Sequence, residues 1–259
     1  MKKIICDTNV YYQIAKGEIP SFIGNGIPIV ATYNNIDEVS ISHNILNNFD
    51  LLKETIQAIF NNYDSAIIQN PIEYAIKLDT PSYFSNHYDE NYKSVMRYTE
   101  GIVNGELTEA NFSGHDEVVE AINQRKVELQ NAADIFMGSI TKVKNYVKNL
   151  LKENKITKKK FWETNYIDFA QMVFKDLVRS ISPTDYEISD NFDWNQIELF
   201  LHVFEQFLKD LIMSNRKVKA NDWYDLFNLL YVQPDDKYWT NERYWINLIK
   251  KATMDRYLP

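Results

Sequence analysis

The first apolar run, Ile4-Ile5-Cys6, is closed at once by Asp7 and reads as a short buried strand. A helix is expected from Val10 to Lys16. Gly17, Pro20, Gly24, Gly26 and Pro28 then punctuate a turn-rich stretch. Ile27, Ile29, Val30 and Ala31 form a second apolar run, and Thr32 can cap a helix that carries Glu38 towards Leu46. Strand, helix, strand, helix is the order of a parallel sheet with crossover helices.

The period then changes. From about Leu51 to Ser214 the apolar residues recur at helical spacing, as at Ile140, Val143, Val147 and Leu150, or Ile197, Phe200, Leu201, Phe204, Phe207, Leu208 and Leu211. Such stripes are core-facing. After Asn215 the α/β character returns. Asn221 can cap a helix starting near Asp222, with Leu226, Leu229 and Leu230 on its apolar face and Pro234 beyond its end. Lys237-Tyr238-Trp239-Thr240 reads as a third strand, and a last helix presents Trp245, Leu248 and Ile249 on one face. The expected organisation is α/β: a discontinuous domain over residues 1–48 and 216–259, interrupted by an all-helical insertion over residues 49–215.

Composition removes several classes of chemistry. A single cysteine, Cys6, excludes an intrachain disulfide framework and a cysteine-rich zinc site. The four histidines, His43, His87, His115 and His202, show no metal-ligand spacing. With a net charge of −8, a nucleic-acid partner must be met by a local basic patch. No run of about 18 apolar residues is present to cross a membrane. The N-terminal apolar run, Ile4-Ile5-Cys6, is too short for a signal peptide, so a cytoplasmic location is expected.

Four acids fall where an open parallel sheet builds its site, outside the carboxyl ends of the strands. Asp7 ends the first strand, Glu38 lies on the helix after the second, Asp225 lies on the helix before the third, and Glu242 follows Thr240. Carboxylates crowded in one pocket cannot all stay ionised without a counter-charge. A hard divalent cation supplies it and suits phosphodiester hydrolysis.

These residues also carry a resemblance. Ile4-Ile5-Cys6-Asp7-Thr8-Asn9-Val10 resembles the opening of a PIN domain, a strand ending in Asp-Thr/Ser-Asn. Asn221-Asp222-Trp223-Tyr224-Asp225-Leu226 resembles that family's third-acid helix, and Tyr238-Trp239-Thr240-Asn241-Glu242 its Thr-x-Asp strand end. Thr240 lies 15 residues after Asp225, which accommodates the rest of a helix, a loop and a strand. The resemblance covers roughly residues 1–48 and 216–259. It implies a Rossmann-like three-layer α/β/α sandwich and Mg²⁺- or Mn²⁺-dependent ribonuclease activity, with Asp7, Glu38, Asp225 and Glu242 as catalytic metal ligands. Some members are toxins held by an antitoxin, so a regulatory protein partner is consistent with it. Two departures stand out: Glu242 replaces the more usual Asp, and the helical block between second and third acids is long.

Each acid has a plainer reading. Asp7 can cap a turn, and Glu38, after Asp37, can be a solvated helix residue. Asp222 can stabilise its helix N-terminus, or act as an extra ligand or second-layer acid beside Asp225. Asp235 and Asp236 precede the third strand and read as loop acids. Asn9 and Thr240 can orient carboxylates by hydrogen bonding, or satisfy turn backbone.

One basic tract stands out. Lys142, Lys144, Lys148, Lys152, Lys155, Lys158, Lys159 and Lys160 face only Glu153 and Glu163, and Phe161-Trp162 follow. Lys158, Lys159, Lys160 and Trp162 are candidates to hold phosphates and stack on bases; a solvated helix face and a core aromatic pair are the alternative. The reading that follows is a metal-dependent endoribonuclease. Its rivals are a catalytically silent RNA- or protein-binding module and a helical interaction protein. A parallel sheet joining residues 3–6, 28–31 and 237–240 separates the last from the first two.

Overall fold

A computed structural model describes residues 3–20, 27–61, 67–112, 116–153 and 167–259. Three parallel strands, β1 (Ile4–Cys6), β2 (Ile29–Val30) and β3 (Lys237–Trp239), form a sheet in the order β2-β1-β3. Ile4 and Ile5 pair with Ile29 and Val30 on one side; Ile4, Ile5 and Cys6 pair with Lys237, Tyr238 and Trp239 on the other. A single bridge between Thr32 and Ile67 carries parallel pairing just past β2. The chain ends therefore meet in one sheet, which excludes a purely helical architecture.

Helices make up most of the rest. In chain order they are α1 (Thr8–Ala15), α2 (Tyr33–Ser40), α3 (Asn44–Asn47), α4 (Phe49–Phe60), α5 (Pro71–Asp79) and α6 (Asn86–Val103). Then follow α7 (Asp116–Glu153), α8 (Ile167–Ile181), α9 (Glu198–Met213), α10 (Ala220–Asn228) and α11 (Arg243–Lys251). No helix of the described residues is long and apolar enough to cross a membrane.

Alternate residues of a strand face opposite sides of a sheet, and here that divides the core in two. Ile4, Cys6, Ile29 and Ala31 pack with Val10, Ile36, Leu52, Ile56 and Met96. Ile5, Val30 and Tyr238 pack with Ile76, Phe174, Phe204, Leu226 and Trp245. Helices thus cover both faces. The central helices share both cores with the strands, and α7 contributes Ile122 to one and Phe136 and Ile140 to the other. At about 1.5 Å per residue, its 38 residues span about 57 Å. On α9, Phe200, Phe204 and Phe207 are fully buried. Each contributes about 1.5–3 kcal/mol by leaving water.

Element ends differ from the sequence reading for local reasons. Helix α1 starts at Thr8 because Asp7 is its cap, accepting the Asn9 N–H at 3.2 Å. Helix α2 stops at Ser40 and does not run on to Leu46; the Ser40 hydroxyl turns back to the Asp37 carbonyl at 2.7 Å. Helix α10 starts at Ala220, ahead of Asn221, with Lys219 as its cap residue. It ends at Asn228, and a tighter turn over Leu229–Tyr231 precedes Pro234.

Candidate metal centre

Past its carboxyl end, β1 sends the chain towards β2 on one side, while β3 lies on the other. Such a reversal of strand order opens a crevice at the sheet edge. The last rung, Asp7 N–H to the Trp239 carbonyl at 2.9 Å, sets Asp7 directly across from Thr240. Glu242 follows two residues on, and α10 brings Asp225 from beside the sheet. Asp7, Asp225 and Glu242 each present a carboxylate oxygen, all within 4.8 Å of one another. Glu38, on α2, is outside this trio but within reach of the charges on Asp7 and Glu242.

Short polar contacts fix these side chains. Asp7 is buried and accepts the Thr240 hydroxyl at 2.7 Å and the Asn9 N–H at 3.2 Å. The Asn9 side-chain amide donates to Glu242 Oε1, and the Glu242 N–H donates to Thr240 Oγ1 at 3.1 Å. Asn9 and Thr240 thus each touch a carboxylate. Trp245, which the apolar stripe of α11 places in the core, turns its Nε1–H to Asp225 Oδ2 at 2.8 Å.

A buried polar network lies beneath. The Cys6 carbonyl accepts Asn35 Nδ2 at 3.0 Å and Asn228 Nδ2 at 2.8 Å. Thr32 caps α2, accepting the Asn35 N–H at 3.4 Å, and its own N–H donates to Asn35 Oδ1 at 2.9 Å. The Thr32 hydroxyl donates to Asn228 Oδ1 at 2.8 Å, so α2 and α10 are tied to one another and to the end of β1. Asn35 also donates to Thr8 Oγ1 at 3.1 Å, which leaves the Thr8 hydroxyl proton for Glu38. Buried polar groups without partners are costly, so this network makes the sheet edge rigid.

The electrostatics of all four acids run one way. Burial raises the Asp7 carboxyl against the lowering hydrogen bonds from Thr240, Asn9 and Thr8. Burial, then the charges of Asp7, Glu242 and Glu38, push Asp225 well up. Burial, then Asp7 and Asp222, raise Glu242. Glu38 is pushed up to about 7 by burial, with Asp7, Glu242 and Asp37 adding to it and Thr8 opposing. Among the described residues none of the four is ion-paired to Lys, Arg or His. A close, all-oxygen, acid-only donor set of this kind fits a hard divalent cation such as Mg²⁺ or Mn²⁺.

Neighbouring acids have other fates. Asp222, an extra-ligand candidate by sequence, spends both oxygens elsewhere: Oδ1 accepts Arg216 Nη2 at 2.7 Å and Oδ2 accepts the Lys219 N–H at 2.8 Å. It closes the first turn of α10 and is not one of the converging trio. Asp37 is buried against the Tyr224 hydroxyl at 2.8 Å and Arg125 of α7 at 3.4 Å. Asp236 holds the entry end of the sheet, accepting the N–H groups of Lys3 at 3.1 Å and Gln233 at 3.0 Å. Lys158, Lys159, Lys160 and Trp162 lie outside the described residues.

The sequence pointed to Asn9, Thr240 and the Thr32 cap among the supporting residues but not to the others. Thr32 followed three residues later by Asn35 is a variant of the reciprocal helix cap and was open to view. Asn228, Trp245 and Arg125 had no local mark, since their partners are distant in sequence. No protein-family model, curated protein or solved structure compared with the chain matches it.

Proposed function

We propose that this chain is a PIN-like, Mg²⁺- or Mn²⁺-dependent ribonuclease that hydrolyses phosphodiester bonds. The observation that carries the reading is the convergence of Asp7, Asp225 and Glu242 within 4.8 Å at the carboxyl edge of a parallel sheet. In this reading the three carboxylates hold the cation, and Glu38, steadied by Thr8, accepts hydrogen bonds from water beside it. A divalent cation bound there would activate water and steady charge on the phosphate. Asn9 and Thr240 keep Glu242 and Asp7 aimed inward, so the extra methylene of Glu242 is accommodated by its Asn9 contact. The test joins calorimetric titration with Mg²⁺ and Mn²⁺ to a cleavage assay on single-stranded RNA. Binding and cleavage are expected from the native chain. A protein that binds neither ion and cleaves nothing is the silent module instead.

A further inference from the structure

A cleft of about 610 Å³ opens beside Glu242, within the range of pockets that take small ligands. Besides Glu242, four parts of the chain wall it: Gln130 of α7, the connection from Arg216 to Lys219, Asp222 of α10, and Tyr244 and Trp245 of α11. Because Glu242 belongs both to the cleft and to the acid trio, whatever fills the cleft abuts the acids.

The chemistry of the walls is uneven. Arg216, Lys217 and Lys219 make one side cationic. Arg216 is committed to Asp222 at 2.7 Å, and its guanidinium lies 3.5 Å from the centre of the Tyr244 ring. Lys217 and Lys219 are exposed and have no ion pair among the described residues.

We infer that this cleft holds the strand flanking the bond to be cut, as single-stranded nucleic acid. Lys217 and Lys219 take phosphate oxygens. The inference rests on the nuclease reading, and it gives α7 a part in substrate access through Gln130. A phosphodiester strand approaching four acids needs cations of the protein's own on its flank, and these lysines stand at that flank.

The test is fluorescence anisotropy with a fluorescein-labelled 15-mer oligouridylate over a salt series, in the Asp7→Asn background so that nothing is cut. Lys217→Gln with Lys219→Gln is expected to weaken binding about tenfold. It should also lower the slope of log affinity against log salt by about 1.4, at about 0.7 per single-strand phosphate contact. Unchanged affinity and slope in the double lysine variant overturn the inference, as does binding confined to duplex. Native protein that cleaves RNA with KM unaffected by the lysine changes overturns the cleft and spares the nuclease reading. Lysine-dependent binding by a protein that cleaves with neither metal keeps the cleft and defeats the nuclease reading.

Discussion

Asp79 and Asp7 both sit at a helix end, and the chain treats them oppositely. Asp79, the last residue of α5, accepts the Tyr186 hydroxyl at 2.7 Å and the Ser189 N–H at 2.9 Å, and the Ser189 hydroxyl besides. Burial alone would raise its carboxyl, but those hydrogen bonds and the Lys175 charge hold it below the ordinary value. At the sheet edge the balance is reversed. Asp7, Glu38, Asp225 and Glu242 are all raised, although hydrogen bonds reach each of them. The protein can neutralise a carboxylate where it needs only a joint between α5 and the 182–190 connection. At the sheet edge it brings three together and supplies no cation among the described residues. Acids left in mutual repulsion are a reservoir that an incoming cation relieves.

The largest expected effect breaks the comparison at its functional end. Asp7→Asn keeps the shape of the side chain and one of its two acceptor oxygens, which serve Asn9 and Thr240 separately, but removes the anion. Cleavage of single-stranded RNA with Mg²⁺ or Mn²⁺ should fall by about 10³-fold, since several kcal/mol of charge stabilisation go with the cation. Glu242→Asp is the companion: if Asn9 holds the longer acid in working position, shortening it lowers the rate as well. Cleavage undiminished in Asp7→Asn would remove the sheet edge from the chemistry.

The next effect is on stability, and its two arms should have opposite signs. Asp225→Asn relieves repulsion and keeps an acceptor for Trp245, so the metal-free protein should melt higher. Asp79→Ala strips partners from Tyr186 and Ser189 and should cost about 1–3 kcal/mol. At roughly 2–4 °C per kcal/mol for a chain of this size, a thermal scan resolves both. Destabilisation by Asp225→Asn would show that the trio is an ordinary hydrogen-bonded joint.

The sequence displayed this contrast only in part. Strand ends were legible because Ile4-Ile5-Cys6 breaks off at a charged residue, and parallel order followed from the alternation of elements. Which face each strand residue takes was hidden, since Ile4 and Ile5 are equally apolar yet enter different cores. Asp222 and Asp225 are three residues apart on one helix, so periodicity places them on neighbouring faces and leaves the choice open. Arg216 decides it by capturing Asp222, and that contact exists only once the connection before α10 has folded back. Asn228 reaches the Cys6 carbonyl across 222 positions, beyond any local pattern. Glu38 was legible as an acid on the right helix, while its value near 7 depends first on burial by the folded chain and then on the charges of Asp7 and Glu242, set just past β1 and β3.

A smaller and continuous effect is expected with pH. The folded Glu38 holds its proton up to about 7, against an ordinary 4.5, and Asp7 and Asp225 are raised too. Between those limits the folded state binds more protons than the unfolded one, so stability falls as pH rises. Tm of the metal-free protein should therefore decline from pH 5 to pH 8. If the trio holds Mg²⁺ as proposed, a saturating concentration should restore Tm most at pH 8, where the acids are ionised. A metal-free Tm that stays level from pH 5 to pH 8 would mean that these acids ionise as easily folded as unfolded, and one that rises would mean that the folded state favours their charged forms.

The smallest effect tests how Asp79 is held. Lys175 lies 3.0 Å from the exposed Asp190 and also acts on Asp79 by its charge. If hydrogen bonds do most of the work at Asp79, removing the lysine costs little. Ion pairs with an exposed partner contribute about 0–1 kcal/mol and are weakened by salt. Lys175→Ala should thus lower stability by under about 0.5 kcal/mol in denaturant titration, against about 1–3 kcal/mol for Asp79→Ala. The two also separate with acid. Because the folded Asp79 carboxyl lies below its ordinary value of 3.8, its stabilisation is present above that pH and is lost as pH falls through the folded value. Native protein and Lys175→Ala should both lose this contribution in acid, while Asp79→Ala has none to lose. A Lys175→Ala penalty as large as that of Asp79→Ala, and abolished by 1 M salt, would make charge the force that holds Asp79. The contrast with the sheet edge would then reduce to which acids have a lysine nearby.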